Sequence, residues 1–283
     1  MALLLTVLCL GALKHVVPSD AEIAAQITEQ LRALLHPATV QVMVRRASPF
    51  STTFERVEIT LSKFSVDTPV SPSVAIATPP ADPGQPLPTP AGAGASIRIV
   101  SARIECREVT TQGLEIPQSV WEARELRIPL DSLHGSTPHI TAAESVTGYL
   151  LAPQESLTGY LKTMQPPIDN PHVTITPEGC RITGTTRTFI KLPVQLTGRM
   201  LARDGAVLYF DDPNLKVSLF RLPASTTRHL LRTLNPLIDL NTSLHLPAPL
   251  TITGVTHQAG ALRLDMALSF PVPEGYHVSA HPN

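Results

Sequence analysis

The chain has 283 residues, enough for one large β-rich domain or two small ones. Its charges nearly cancel, with 22 Lys and Arg against 23 Asp and Glu, so no basic surface for nucleic acid is expected. Hydrophobic residues make up 43% of the chain but aromatic residues only 4%, which predicts an interior of Leu, Ile and Val. Such an interior suits acyl chains better than nucleobases or sugars, which bind to stacking aromatic rings.

An apolar run opens the chain, from Ala2 to Leu13. It is shorter than the roughly 20 residues that a membrane-spanning helix needs. Its length is typical of the hydrophobic part of a signal peptide, although the basic residues that usually precede that part are missing. We therefore expect residues 1–18 to direct export to the periplasm or the cell envelope. The alternative is a buried first helix or strand.

A helix is predicted directly after this run. Ser19 and Glu22 have the spacing of a capping box, in which each residue bonds to the backbone of the other. Ile27 and Leu31 then belong to an apolar stripe with helical spacing, which we expect to pack on a sheet.

Two alternating segments, 40–44 and 57–61, predict strands after this helix. The first strand ends in Arg45 and Arg46, whose guanidinium groups could contact a phospholipid headgroup. The alternative is that both arginines are ordinary solvated residues at a strand end.

Residues 69–95 have a different composition, with eight prolines among Ala, Gly and Ser. Such a segment cannot form a core, so it predicts a disordered, solvated insertion. The strand pattern resumes beyond it in the same style, with a bulge expected at Val100 where the alternation slips. We therefore predict one domain over residues 19–270 that contains this insertion, followed by a tail at 271–283.

Two nine-residue segments, Leu161-Lys-Thr-Met-Gln-Pro-Pro-Ile-Asp169 and Leu231-Arg-Thr-Leu-Asn-Pro-Leu-Ile-Asp239, share Leu, Thr, Pro, Ile and Asp in register and are treated as two copies of one repeated sequence. Each copy is the end of a short amphipathic helix that proline terminates. A looser copy ends at Pro37. A predicted strand pair follows each copy: 172–176 with 180–184, 250–253 with 261–265, and 40–44 with 57–61. The sequence thus predicts repeated helix-plus-β-pair units, and a chance similarity of helix ends is the alternative.

Nothing in the sequence indicates an enzyme, a cofactor or a metal site. No nucleophile motif, phosphate-binding loop or metal-ligand spacing is present. Asp211-Asp212-Pro213 is the closest pair of carboxylates, and we expect it to form a turn between strands. Cys106 and Cys180 fall in predicted strands, where two buried free thiols are favoured over a disulfide.

Asp169 and Asp239 end the two copies of the repeated sequence. We interpret both as polar groups of a loop that follows a helix, with a binding role as the alternative.

Several motifs resemble the LmeA-like phospholipid-binding family of bacterial envelope proteins. They are Glu144-Ser-Val-Thr-Gly-Tyr-Leu-Leu151, Pro153-Gln-Glu-Ser-Leu-Thr-Gly-Tyr-Leu161, Val173-Thr-Ile-Thr-Pro-Glu-Gly-Cys-Arg-Ile-Thr-Gly184, Leu201-Ala-Arg-Asp-Gly-Ala-Val-Leu208 and Leu234-Asn-Pro-Leu-Ile-Asp-Leu240. The resemblance covers roughly residues 19–270 and implies an exported, membrane-associated protein that binds phospholipid. Similarity to the wider tubular lipid-binding proteins further implies a curved antiparallel sheet wrapped around helices.

Together these observations predict an α+β fold in which a long curved antiparallel sheet is wrapped around a few amphipathic helices. A gap between sheet and helices would hold the acyl chain of a phospholipid or other acyl lipid, and the protein would meet the membrane surface. The residues predicted to line the gap are Ile27, Leu31, Leu157, Leu161, Met164, Leu230 and Leu234. Two alternatives stay open: an envelope scaffold with a fully packed core, and a hydrolase that uses Asp211, Asp212 and a histidine.

Overall fold

A computed structural model of the chain describes nine ranges of residues. They are 19–66, 96–111, 114–129, 140–163, 168–186, 191–203, 205–217, 235–241 and 249–270. Within these ranges most residues belong to β-strands, and two helices lie wholly inside them. Four predicted features lie outside the described residues. They are the export signal (1–18), the proline-rich insertion (69–95), the tail (271–283) and the helix that the second copy of the repeated sequence ends, near 224–233.

Helix α1 (Asp20–Leu35) begins with the predicted capping box. The Ser19 side chain accepts a hydrogen bond from the Glu22 backbone N–H at 3.2 Å, and the Glu22 carboxylate accepts one from the Ser19 N–H at 2.6 Å. The helix ends at His36, which adopts a left-handed conformation (φ 46°) and donates its N–H to the Arg32 carbonyl. Its apolar stripe packs on the sheet through buried Ile23, Ile27 and Leu31.

A seven-stranded sheet has the spatial order β1-β2-β3-β4-β5-β12-β11. Its strands are β1 (Thr39–Arg46), β2 (Thr53–Ser65), β3 (Ser96–Thr111), β4 (Leu114–Pro129), β5 (Ser145–Pro153), β11 (Leu250–Gln258) and β12 (Ala261–Leu268). The strands β2 and β3 pair in parallel, so the expectation of a wholly antiparallel sheet is wrong at this position. Parallel neighbours need a long return connection, and residues 66–95 supply it.

The strand β3 contains the predicted irregularity. Ile99 and Ala102 are buried, whereas Val100 and Ser101 between them are more exposed, so the alternation slips by one residue. On the neighbouring strand β4, Glu125 next to this position has a left-handed backbone (φ 52°). The slip at Val100 is therefore confirmed, but the predicted bulge is wrong, because the register of β3 with β2 and with β4 is the same on both sides of Val100.

A second sheet has five antiparallel strands in the order β10-β9-β8-β7-β6. Its strands are β6 (Ile168–Thr176), β7 (Gly179–Thr186), β8 (Pro193–Arg203), β9 (Val207–Val217) and β10 (Ile238–Asp239). The strands thus form two sheets and not the single long sheet that we predicted. The change of sheet occurs at helix α2 (Gln154–Thr163), which separates β5 of the first sheet from β6 of the second.

The Asp211-Asp212-Pro213 stretch lies inside β9, so the predicted turn is wrong. The register of β8 against β9 shifts between Thr197 and Arg199, opposite this stretch, and the resulting bulge accommodates the irregular segment. Proline is tolerated at bulges and sheet edges because it cannot donate to the ladder. In the described part of the chain, β10 pairs with β9 only near the start of β9 and leaves this segment at the edge.

The described residues do not establish a repeated helix-plus-β-pair unit. Helix α1 precedes the pair β1/β2 and α2 precedes β6/β7, but the pair β11/β12 belongs to the seven-stranded sheet. The second copy of the repeated sequence ends instead in the short strand β10.

Both copies of the repeated sequence end in a strand of the same sheet. Ile168 and Asp169 begin β6, and Ile238 and Asp239 form β10, so the two copies occupy opposite edges of the five-stranded sheet. The isoleucines are buried and the aspartates are half-buried. The interpretation of Asp169 and Asp239 as loop residues is therefore wrong, because pairing with the neighbouring strand extends the sheet through them.

Candidate functional site

Helix α2 covers the edge of the five-stranded sheet with two of its side chains. Gln154 Oε1 accepts the backbone N–H of Ile175 at 3.3 Å, and Thr158 Oγ1 accepts that of Val173 at 2.9 Å. Four residues of helix advance by about 6 Å, close to the roughly 6.7 Å of two residues of strand. The helix spacing therefore matches alternate N–H groups of β6, which would otherwise lie unpaired at a sheet edge.

The same helix turns an apolar stripe toward the sheet interior. Leu157 and Leu161 are four residues apart and buried, and half-buried Tyr160 lies beside them on the helix surface. Polar side chains that bond to β6 and apolar side chains that face the sheet thus share one short helix.

A small apolar gap lies between this stripe and the five-stranded sheet. Its lining residues come from α2 and from the second sheet, and they are Leu157, Tyr160, Leu161, Met200, Leu208, Leu237 and Ile238. The free space between them is about 10 Å³, which is roughly what one buried water molecule needs. In the conformation observed, the gap is closed to an acyl chain.

A histidine joins the two sheets beside this gap. His257, on β11 of the seven-stranded sheet, accepts the backbone N–H of Met200 on β8 at 3.1 Å through its Nε2 atom. That nitrogen must be unprotonated to accept the bond. Burial and the nearby Arg199 guanidinium lower the pKa of His257, so the neutral form that holds Met200 in the gap wall is favoured.

An asparagine from the second copy of the repeated sequence holds another part of the same sheet wall. The Asn235 side chain accepts the Phe210 N–H at 2.8 Å and donates to the Phe210 carbonyl at 2.9 Å, as a paired strand would. Two residues later, the Leu237 N–H donates to the Leu208 carbonyl at 2.9 Å. These bonds fix the chain along β9 and place both Leu237 and Leu208 in the gap wall.

The structure brings part of the predicted lining together. Leu157 and Leu161 line the gap. Ile27 and Leu31 lie on α1, where they are buried in the core against the seven-stranded sheet. Three further predicted residues, namely Met164, Leu230 and Leu234, lie outside the described residues.

Sequence reasoning missed the sheet side of the gap. Leu237 and Ile238 could have been predicted, because they belong to the second copy of the repeated sequence, whose first copy contains Leu161. Met200 and Leu208 showed only the alternation of a strand, which predicts the buried face but not the position that meets a helix.

The two arginines predicted for headgroup contact already have acidic partners. Arg45 pairs with Glu55 at 3.0 Å, and Arg46 pairs with Asp20 at 2.5 Å. The Arg46 side chain is only 8% exposed, so it ties α1 to the end of β1. A headgroup role for Arg45 and Arg46 remains a prediction.

The described residues also contain thiols and carboxylates outside the gap. Cys106 and Cys180 are buried free thiols, as predicted, and burial raises their pKa to about 11 and about 12. The described ranges hold no group of three His, Cys, Asp or Glu that could bind a metal ion. Asp211 pairs with Arg203. No helix within those ranges is both long and apolar enough to cross a membrane.

Comparison with known families identifies residues 56–267 as matching the LmeA-like phospholipid-binding family. The match covers 212 of the 283 residues. The chain belongs to this family. Neither a curated protein nor a solved structure matches it.

The range matched to the LmeA-like family separates the candidate residues into two groups. It contains every residue that lines the α2 gap, together with Gln154, Thr158 and His257, which hold its walls. It excludes α1 with Ile27 and Leu31, and it excludes Arg45 and Arg46.

Proposed function

We propose that this protein binds a phospholipid without catalysis, by enclosing an acyl chain between helix α2 and the five-stranded sheet. The observation that carries the proposal is the α2 gap, which is apolar on every side and lies within the range matched to a phospholipid-binding family. The apolar run from Ala2 to Leu13 supports a place for this function in the cell envelope, after export.

Binding requires the gap to widen, and the helix is the wall that can move. Two side-chain bonds, from Gln154 and Thr158, connect α2 to β6. Losing them costs about 1–3 kcal/mol at a typical net value for each bond. Burying about eight methylene groups of an acyl chain gains about 6 kcal/mol, at roughly 0.8 kcal/mol each. The gain exceeds this net cost of the two hydrogen bonds, and Leu157 and Leu161 would exchange their contacts with the sheet for contacts with the acyl chain.

A second candidate function is an envelope scaffold with a packed core and no ligand. The observation that favours it is the volume of the gap, which accommodates one water molecule and no more. The two proposals differ in one measurable property, namely whether lipid is bound at a stoichiometric amount.

Native mass spectrometry with lipid extraction tests the proposal on full-length protein purified from a membrane-containing host. We expect one phospholipid per chain in the wild type and none in Leu161→Asp, because a carboxylate in the gap wall is incompatible with an acyl chain. The matched control is Leu34→Asp, since Leu34 is also a helical leucine but lies on α1 and is 48% exposed. That variant should keep its lipid.

Far-ultraviolet circular dichroism of each variant shows whether the sheets are intact. Lipid-free wild-type protein, confirmed after incubation with phospholipid vesicles, would refute lipid binding and support the scaffold. Unfolding of Leu161→Asp would make Leu161 part of the core. In that case the milder Leu161→Gln variant decides whether lipid is lost from a folded chain.

A further inference from the structure

The two sheets meet along strand β11, and backbone hydrogen bonds join them near both ends of that strand. At the first end, the Ile252 N–H donates to the carbonyl of Gly205, which lies between β8 and β9, at 2.8 Å. At the other end, the N–H of Gly260, in the turn between β11 and β12, donates to the Ile175 carbonyl on β6 at 3.0 Å. Neither contact depends on pH, because both join backbone groups.

A titratable contact lies between these two backbone bonds. The His257 imidazole accepts the Met200 N–H at 3.1 Å through its Nε2 atom, and the buried Met200 side chain lines the α2 gap. A protonated imidazole carries a hydrogen on both nitrogens and has no acceptor. Protonation therefore removes this bond, while the backbone bonds on either side continue to join the sheets.

Charged groups on the strands around β11 determine how its histidine titrates. Within Leu250–Gln258, His257 is the sole titratable side chain. The strands that pack on β11 are β8, β12 and β6, and their charged or titratable residues are Arg199, Arg203, Arg263, Asp265, Asp169 and His172.

Arg199, the chain neighbour of Met200, acts directly on the histidine. Burial and the Arg199 guanidinium lower the pKa of His257 below its ordinary value of 6.5, because both disfavour the protonated form. Asp211, opposite Arg199 in the ladder, pairs with Arg203. The bond to Met200 is therefore complete above pH 6.5 and is lost as the pH falls through the folded pKa.

We propose that protonation of His257 controls the exchange of phospholipid through the α2 gap. While the imidazole is neutral, the Met200 backbone is held against β11 and the gap keeps the closed form that the structure shows. Once the imidazole is protonated, the Met200 N–H loses its acceptor, and the cations at positions 199 and 257 repel each other. Met200 then loses its fixed position in the gap wall, and an acyl chain can enter or leave. This inference rests on the proposed function for its ligand, and it adds mildly acidic pH as the condition for exchange.

A lipid-transfer measurement tests the proposal on the full-length protein. The protein is loaded with a fluorescent phosphatidylcholine, and its rate of transfer to unlabelled phosphatidylcholine vesicles is followed between pH 7 and pH 5. Phosphatidylcholine keeps its zwitterionic charge over this range, so the vesicle surface does not titrate. We expect the rate to rise by about threefold to tenfold, the factor that one net hydrogen bond contributes. A rate that does not rise would overturn the proposal.

His257→Gln separates the histidine from other titrating groups. Glutamine offers a neutral acceptor that does not titrate, so transfer should stay at the wild-type rate for pH 7 throughout the range. The matched control is His172→Gln, because His172 is an exposed histidine on β6, and this variant should keep the wild-type acceleration. Equal acceleration in His257→Gln and the wild type would overturn the proposal. So would an acceleration that coincides with loss of the β signal in far-ultraviolet circular dichroism, because the chain would then be unfolding.

Arg199→Gln tests the arrangement of charges around the histidine. Without the neighbouring cation, protonation of His257 is less unfavourable, so the midpoint of the acceleration should move to higher pH. A midpoint that stays in place or moves to lower pH would contradict the arrangement on which the proposal rests.

The methyl NMR signal of Met200 keeps this proposal separate from the gap function, because it requires no lipid. Met200→Leu identifies the signal among the five methionines of the chain. In lipid-free protein the signal should shift between pH 7 and pH 5 in the wild type and stay constant in His257→Gln. A shift in a chain that never carries phospholipid would refute the gap function and leave the protonation-controlled wall standing. Bound phospholipid together with a constant Met200 signal would refute the role of His257 and leave the gap function standing.

Discussion

Replacing Thr158 with valine tests whether α2 is held to the sheet as the structure shows. Thr158 Oγ1 donates to the Gln154 carbonyl at 2.7 Å and accepts the Val173 N–H at 2.9 Å. Valine keeps the shape of the side chain but removes the acceptor. The buried Val173 N–H then has no partner, while the Gln154 carbonyl keeps its place in the helix.

An unsatisfied buried N–H costs about 1–3 kcal/mol, which is a substantial share of a typical folding free energy of about 5–15 kcal/mol. Thr158→Val should lower the free energy of unfolding by that amount. The urea midpoint, followed by Trp121 fluorescence, should fall by about 0.3–1.5 M if the slope is about 2–3 kcal/mol per M. If α2 moves to admit lipid, the same variant should also exchange its phospholipid faster with labelled vesicles.

The chain offers a matched control on the other helix. Thr28 of α1 donates to the Ala24 carbonyl at 2.7 Å, the same bond within a helix, but accepts no bond from a strand. Thr28→Val should therefore leave the urea midpoint nearly unchanged. Equal midpoints for Thr158→Val and the wild type would show that the bond to Val173 does not hold the helix, and the reasoning about a movable wall would fail.

Two further predictions concern packing and pH. Gly148→Ala should lower the free energy of unfolding by about 1–3 kcal/mol, because a Cβ at this position would lie 2.6 Å from the Trp121 ring. The urea midpoint measures this loss of stability, and a red shift of Trp121 emission reports the displacement of the ring. His257 has a folded pKa below its ordinary value of 6.5. Its contribution to stability is therefore complete above pH 6.5 and is lost as the pH falls toward the folded pKa, where protonation breaks the bond to Met200. Between pH 7 and pH 5, the melting temperature of His257→Gln should fall less with decreasing pH than that of the wild type. An equal fall in both proteins would show that His257 does not cause this pH dependence.

The features that the sequence predicted correctly are local ones. The Ser19 and Glu22 capping box and the slip at Val100 depend on residues that are near one another in the chain. Leu157 and Leu161 share one buried helix face for the same reason, because a helix places residues four apart on one face, and their role in lipid binding stays a prediction.

The features that it missed depend on which distant strands become neighbours. Alternation in β2 and β3 is the same whether they pair in parallel or antiparallel, so their orientation had no local signal. Pro213 suggested a turn, and only the position of β9 at an edge beside a bulge allows a strand there. The position of Met200 in the gap depends on His257, which lies 57 residues away in the other sheet.

The way in which each edge of the five-stranded sheet is covered explains which wall of the gap can move. At β9, the chain from Asn235 to Asp239 continues the ladder with backbone bonds as well as the Asn235 amide. At β6, helix α2 provides the Gln154 and Thr158 side chains, which cannot form a continuous ladder. The antiparallel pairing of β6 and β7 does not depend on these side-chain bonds, so the proposed movement of α2 would not require the sheet to unfold. The gap therefore has one wall formed by strands and one wall formed by a helix, and the proposed lipid binding would move the helix.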